Sequence, residues 1–296
     1  MSKAKKTMKI ALIGGGEVGQ CYAHALQQAG HALYLIIDSH PSESLKASCE
    51  VLGAALEQEP GATLGEADMV LCAAFGSAAL AIAQAAAPWL KAHSLYVDLT
   101  TAKPADILLA SDVMAQHQIR FIDVAIAGAI RVLKAKTPLL LAGEQAADFL
   151  PYAQQLGAPA KVVGAEPGAA VSLKLLRSIF TKGCEALAVE CLVAAEQKGL
   201  RQQLYEVLSD IDERPLSEFL EACVNSHVIH ARRRLAEVGE AMEQMQSLGI
   251  NPIASQGVQA LFQNTVQGLE QSPYQAGSIE HSLRWLQGSL QIAPKP

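Results

Sequence analysis

The feature that most restricts the fold is a short apolar run that ends in closely spaced glycines. Residues 9–14, KIALIG, read as a buried strand and lead directly into Gly14-Gly15-Gly16-Glu17-Val18-Gly19, followed by an amphipathic stretch from Gln20 to Ala29. In such a strand-turn-helix unit Gly14 permits the tight turn, Gly16 lets a pyrophosphate approach the backbone, and Gly19 allows the helix to pack closely on the strand. The free amides of the helix start, around Glu17 and Val18, would then face the phosphates. Glycine clusters also form plain turns, so the following residues decide. Gly30 ends the helix, residues 32–37 (ALYLII) form a second strand, and Asp38 stands at its end, about twenty residues beyond the glycines. An acidic residue there accepts hydrogen bonds from both ribose hydroxyls of NAD and repels the 2′-phosphate of NADP. NAD is therefore the expected cofactor. Ser39, His40 and Lys46 could form a phosphate site if Asp38 turned away, which leaves NADP open.

The alternation continues with a strand at 69–73, a helix at 79–87, a strand at 95–98, a helix at 104–116 and a strand at 119–125. Strands at 139–142 and 161–163 follow, with a helix at 145–156 between them. This pattern predicts an α/β fold whose N-terminal part is a Rossmann-type, doubly wound parallel sheet covering residues 1–164. Ligands of such sheets sit beyond the carboxyl ends of the strands, which places Ala74, Phe75, Asp98, Thr100, Thr101 and the Gly128 turn on the cofactor side. The uncharged stretch 71–90 is about long enough to span a bilayer. Gly76, Ser77 and Pro88 break it, and it divides into a strand end, a turn and a helix, so no membrane role is expected.

Residues 165–296 read as an all-helical substrate and dimerisation domain, joined to the first by a long helix at 166–199. Pro167 suits its first turn and Gly199 the position just past its end. Leu173, Leu176, Phe180, Leu187, Cys191 and Ala195 recur at helical spacing, so most of the helix is expected to be buried. Lys174, Ser178, Thr181 and Glu185 fall at steps of four, three and four and share one polar stripe. That stripe is the expected floor of a cleft between the domains. Further helices are expected at 201–209, 216–248, 253–269 and 278–293.

A net charge of -6 argues against a nucleic-acid partner, and a small anionic substrate would need a local positive pocket. Six cysteines at 21, 49, 72, 184, 191 and 223 form no Cys-x-x-Cys pair and read as reduced thiols. The first residues, MSKAKKTMKI, lack the apolar segment of a signal peptide, and a cytoplasmic protein is expected. His227, His230 and Arg234 share a helix face without a third metal ligand nearby in sequence, so no metal is expected, and the face reads as basic surface or part of an anion pocket.

Four stretches together resemble the β-hydroxyacid dehydrogenases, which include 3-hydroxyisobutyrate and 6-phosphogluconate dehydrogenases. They are the glycine fingerprint, the Asp98-Leu99-Thr100-Thr101 turn, the Asp123-Val124-Ala125-Ile126-Ala127-Gly128-Ala129 segment and the Lys174 stretch. From Gly199 onward, His230-Ala231-Arg232-Arg233-Arg234 and Gly249-Ile250-Asn251-Pro252 look most like a bacterial phosphogluconate-dehydrogenase-like subgroup. The resemblance implies a hydride transfer between NAD(P) and the hydroxyl-bearing carbon of a small hydroxy acid, with Lys174 as general acid/base; a homodimer is expected separately, from the apolar faces that the helical second half leaves over after packing. It also implies substrate contacts at Thr101, Ala127, Gly128, Ala129, Arg177 and Ser178, and a cofactor role for Thr100; the alternative reading is that Thr100 and Thr101 only cap the helix starting near Pro104 and that Ser178 is simple helix polarity. Arg177 is expected to help lower the Lys174 pKa. Ala127 stands where the family has a serine, Ala129 where it has a glycine and Ser178 where it has an asparagine, so the usual family substrates need not apply. A ketopantoate-reductase-like enzyme and a non-catalytic dinucleotide sensor are the alternative readings. An imine-reducing relative fits less well, because a lysine at 174 points to hydroxyl chemistry.

Overall fold

The computed structural model describes residues 8–290 and divides the chain into two compact units, Met1–Ser178 and Ile179–Pro296. The first unit is built on one sheet of eight strands: β1 (Lys9–Ile13), β2 (Ala32–Ile37), β3 (Ala55–Glu57), β4 (Met69–Cys72), β5 (Leu95–Asp98), β6 (Arg120–Ile126), β7 (Leu139–Ala142) and β8 (Ala160–Gly164). Their spatial order is β3-β2-β1-β4-β5-β6-β7-β8, so the order in which strands are added reverses between the parallel neighbours β1 and β4. The helices of this unit are α1 (Glu17–Gln28), α2 (Glu43–Leu52), α3 (Ala79–Ala86), α4 (Pro104–Gln116), α5 (Ile130–Leu133) and α6 (Leu150–Gln155).

The doubly wound sheet is as expected except at β7, which runs antiparallel to β6. The link between them holds only α5 and one 3-10 turn, Lys134–Lys136. That is too little to cross a sheet face, so the chain doubles back. Most of the other strands are buried on both faces by the two-residue alternation of their side chains, while the edge strands β3 and β8 are only partly covered. Ile10 and Leu12 of β1 pack with Leu26 of α1 on one face, and Ala11 and Ile13 pack with Ala83 and Ala110 on the other. Helix α2 and strand β3 escaped the sequence reading. Ser42 caps α2 by accepting the Leu45 amide at 3.2 Å, and Gly53 closes it at φ +66°. Strand β3 has only three residues, too few to show a periodicity.

The long helix, α7, runs Ala169–Gln197, starting after Gly168 at φ +93° and ending before Gly199 at φ +67°. It begins in the first unit and continues into the second. The expectation that most of it is buried fails within the single chain: Leu176 is 67% and Ile179 75% exposed. Every regular element among the described residues of the second unit is a helix: the rest of α7, α8 (Arg201–Leu208), a 3-10 turn, α9 (Leu216–Ser247), α10 (Ile253–Gln271) and α11 (Ile279–Leu290). Glu190 is buried and caps α10, accepting the Ala254 amide and, at 3.0 and 2.7 Å, the amide and hydroxyl of Ser255. The last helix was expected to reach residue 293, and residues 291–293 lie outside the described residues, as do residues 1–7 of the N-terminal reading. The stretch 71–90 folds as the end of β4, a turn, α3 and a 3-10 turn, and no helix among the described residues is long and apolar enough to cross a membrane.

Candidate functional site

The glycines after β1 have distinct steric duties. Gly14 sits at φ +94°, and a Cβ there would lie 2.7 Å from the Ala74 amide nitrogen, so no other residue fits without moving the β4 end. A Cβ on Gly19 would meet the Gly14 carbonyl oxygen at 2.0 Å, which is the close approach of helix to strand. Gly16 differs: nothing lies within 4 Å of its Cβ position, and it begins α1 with no side-chain cap. The amides at the start of α1 therefore point into open space, where the partial positive charge of the helix end suits a pyrophosphate.

That space is a cavity of about 770 Å³ lined by Gly14, Gly16, Glu17, Val18, Asp38, Ala74 and Phe75, all expected from sequence. It is also lined by Ser39, His40, Gln58, Pro60, Ala78 and Ile82. Gln58 and Pro60 follow β3, and missing that strand hid them. Asp38 is fixed at the rim: its Oδ2 accepts the Gly15 amide at 2.7 Å and its Oδ1 the His40 amide at 2.9 Å. Each oxygen keeps a lone pair for a ribose hydroxyl. Lys46 pairs with Glu43 at 2.7 Å. Glu17, a like charge beside a phosphate site, pairs with Arg131 at 3.2 Å. Phe75 is 86% exposed at the cavity mouth.

A second constellation lies next to the first. Gly76 follows Phe75, and a Cβ on it would stand 3.1 Å from the Thr101 carbonyl oxygen. Thr101 holds φ +57°, a left-handed conformation that is uncommon for a β-branched residue. Its Oγ1 accepts a hydrogen bond from Lys174 Nζ at 2.8 Å. Burial pushes the Lys174 pKa below the usual lysine value, and the Asp123 carboxylate opposes that shift. The sequence reading paired Lys174 with Arg177, an exposed residue, and overlooked Asp123.

Asp98 and Asp123 are register partners on β5 and β6, each 1% exposed. Asp98 Oδ1 accepts from the Thr100 amide at 2.8 Å and the Thr100 hydroxyl at 2.6 Å. Its Oδ2 is buried without a partner among the described residues, and burial raises the pKa to about 6 against the pull of those two bonds. Asp123 Oδ2 accepts the amides of Gly168, Ala170 and Val171 at 2.9, 3.1 and 3.3 Å. Burial raises its pKa too, with the three amides and Lys174 acting the other way.

Thr100 faces Asp98 rather than the cavity lining. The Ala127 amide is taken by the Pro138 carbonyl at 2.8 Å, while Gly128 and Ala129 form an exposed turn beyond β6. Ser178 is half-buried on α7. His227 Nε2 meets Thr265 Oγ1 at 2.8 Å and Arg234 donates to Ser226 at 3.0 Å. Among the described residues no group of three or more His, Cys, Asp or Glu is gathered to hold a metal ion.

A family model described as the NAD-binding domain of 6-phosphogluconate dehydrogenase matches residues 9–165, more than half of the chain. The chain belongs to the β-hydroxyacid dehydrogenase superfamily. It is an NAD(P)-dependent oxidoreductase, and the glycine turn and the open helix end fit that cofactor. A domain of unknown function, DUF1932, matches residues 195–265 within the helical part of the chain. An uncharacterized 28.5 kDa protein of Methanothermus fervidus is 26% identical over 264 residues, spanning 87% of this chain and 98% of that one. A solved conserved protein of unknown function, described as structurally similar to 3-hydroxyacid dehydrogenases, is 28% identical with a TM-score of 0.62, covering 87% of this chain and 96% of its own. An imine reductase from Myxococcus stipitatus, 17% identical over 95% of this chain and 99% of its own, shares the fold at a TM-score of 0.75.

Proposed function

We propose that this β-hydroxyacid dehydrogenase moves hydride between NAD and the hydroxyl-bearing carbon of a small hydroxy acid, of the β-hydroxyacid or sugar-acid type, with Lys174 as general acid/base. The observation that carries the reading is the Lys174 ammonium, half-buried, lowered in pKa and held on Thr101 Oγ1 beside the cavity. The nicotinamide, when bound, accepts or supplies the hydride. Lys174 takes the hydroxyl proton in oxidation and returns it in reduction, and a pKa lowered by burial gives it the neutral form that the first task needs. The exposed Gly128 and Ala129 amides are suited to a substrate carboxylate, with Thr101, Ala127, Arg177 and Ser178 as its other contacts. NAD is preferred to NADP because Asp38 is anchored toward the glycine turn by two amides and cannot turn away without losing both.

We further propose a homodimer, since the exposed Leu176, Ile179 and Val189 of α7 leave an apolar face that a second copy would cover. A reducing cytoplasm accords with six unpaired cysteines. The test of function is a panel of hydroxy acids and phosphorylated sugar acids with NAD and NADP in parallel. Lys174→Ala is expected to lower turnover about a hundredfold or more while leaving NADH binding intact. Equal turnover by the variant would remove the assignment, and tight NADH binding with no turnover across the panel would favour a sensor.

A further inference from the structure

We propose that Asp123 and Asp98 are positioning residues for Lys174, each fixing one partner of the Lys174–Thr101 contact. The two aspartates are register neighbours at the carboxyl ends of β5 and β6, yet they grip different parts of the chain. Asp123 Oδ2 gathers the amides of Gly168, Ala170 and Val171, the donors that a helix start leaves without partners. One oxygen thus sets where α7 begins, and Lys174 lies one turn further along. Gly168 adds a second restraint: it sits at φ +93°, and a Cβ there would stand 3.1 Å from the Pro104 carbonyl oxygen.

Asp98 acts on the other partner. Its Oδ1 holds both donors of Thr100, whose Oγ1 in turn accepts the Ala102 amide at 3.3 Å. These bonds close the turn on both sides of Thr101 and keep it at φ +57°, a conformation that a threonine leaves when released. The distance between Nζ and Oγ1 is therefore fixed by two carboxylates on adjacent strands of one sheet. Asp123 has a second effect, because its charge acts on the Lys174 ammonium. Asp123 on β6 is the charge that acts on Lys174; Asp98 on β5 is the register neighbour of Asp123, and Arg177 follows Lys174 by three residues along α7. Asp123 supplies the charge that opposes the lowering of the Lys174 pKa by burial.

The catalytic meaning of this arrangement rests on Lys174 being the acid/base, but its test needs no substrate. Trace acetylation with acetic anhydride across the lysine titration range, read lysine by lysine by mass spectrometry, gives the apparent pKa of Lys174 with Lys161 as internal reference. Asp123→Asn keeps an oxygen for the three amides and removes the charge, so Lys174 is expected to titrate about one unit lower. A residue that merely capped the helix would leave that titration unmoved. Thr100→Val removes the hydroxyl bonds to Asp98 and to the Ala102 amide and so weakens the Asp98 arm, and Lys174 is expected to label roughly threefold faster relative to Lys161 as its contact with Thr101 loosens. Circular dichroism melting checks that each variant is folded, and if Asp123→Asn is not, the Thr100→Val measurement still decides. Unchanged Lys174 labelling in the folded variants overturns the proposal. A Lys174 that responds as expected in both variants but proves dispensable for turnover would keep the positioning and end the acid/base assignment.

Discussion

Lys174 Nζ and Thr101 Oγ1 stand 2.8 Å apart although 73 residues separate them in the chain. The hydroxyl is the acceptor that holds the ammonium, so Thr101→Val leaves a half-buried lysine without it, and its pKa moves further down. Turnover of the substrate identified in the panel should fall about tenfold in Thr101→Val and stay near that of the parent in Thr101→Ser, which keeps the acceptor. Steady-state rates with saturating NAD test this, and equal rates for the two variants would count against it.

Gly14 and Gly16 look alike in sequence but should fail differently. Gly14→Ala forces a Cβ to 2.7 Å from the Ala74 nitrogen at φ +94°, so the folded state should lose on the order of 1–3 kcal/mol or more. Gly16→Ala meets nothing within 4 Å and should melt near the parent temperature. Its methyl group occupies the space proposed for the pyrophosphate, so NADH affinity should drop tenfold or more, by roughly the loss of one or two charged hydrogen bonds. Melting curves with and without NADH separate the two outcomes.

Asp38→Ala removes two acceptors proposed for the ribose hydroxyls and the repulsion that disfavours a 2′-phosphate. Affinity for NAD should fall about tenfold or more, while affinity for NADP holds or improves. Titration of both cofactors by fluorescence gives the ratio, and an unchanged ratio would contradict the preference argued from this carboxylate.

Asp98 makes the fold pH-dependent. Its folded pKa is raised from 3.8 to about 6, so the folded chain binds the proton more tightly than the unfolded chain does. The contribution is therefore fully favourable below about pH 4 and declines as the pH rises to about 6, where the buried group must ionise. At about 1.4 kcal/mol per unit, ionised Asp98 costs the fold on the order of 1–3 kcal/mol at neutral pH. Asp98→Asn keeps an acceptor for Thr100 and should be more stable than the parent at pH 7, with a flatter profile between pH 4 and 6. Urea unfolding at a series of pH values measures both.

The apolar face of α7 predicts association. Light scattering should give the mass of a dimer, and Ile179→Glu, which places a charge on a side chain now 75% exposed, should weaken the dimer without lowering the stability of the single chain.

The sequence by itself determined the elements whose signal is local. The glycine turn, the strands at 32–37, 95–98 and 139–142, the helix at 104–116 and the helical second half all follow from periodicity, caps and breaks within a few residues. It also determined the cavity lining at Gly14, Gly16 and Asp38, because the glycines' duties belong to one turn and Asp38 stands at the end of the next strand. Strand β3 was too short to announce itself, and with it went Gln58 and Pro60. The antiparallel return of β7 was hidden because strand direction depends on what the connection can span. Only the tertiary structure decided what surrounds Lys174. Thr101, Asp98, Asp123 and the start of α7 come from four separate stretches of chain. They meet because a parallel sheet brings the carboxyl ends of β5 and β6 to one edge, and burial there turns two ordinary aspartates into a pair that holds the lysine in place.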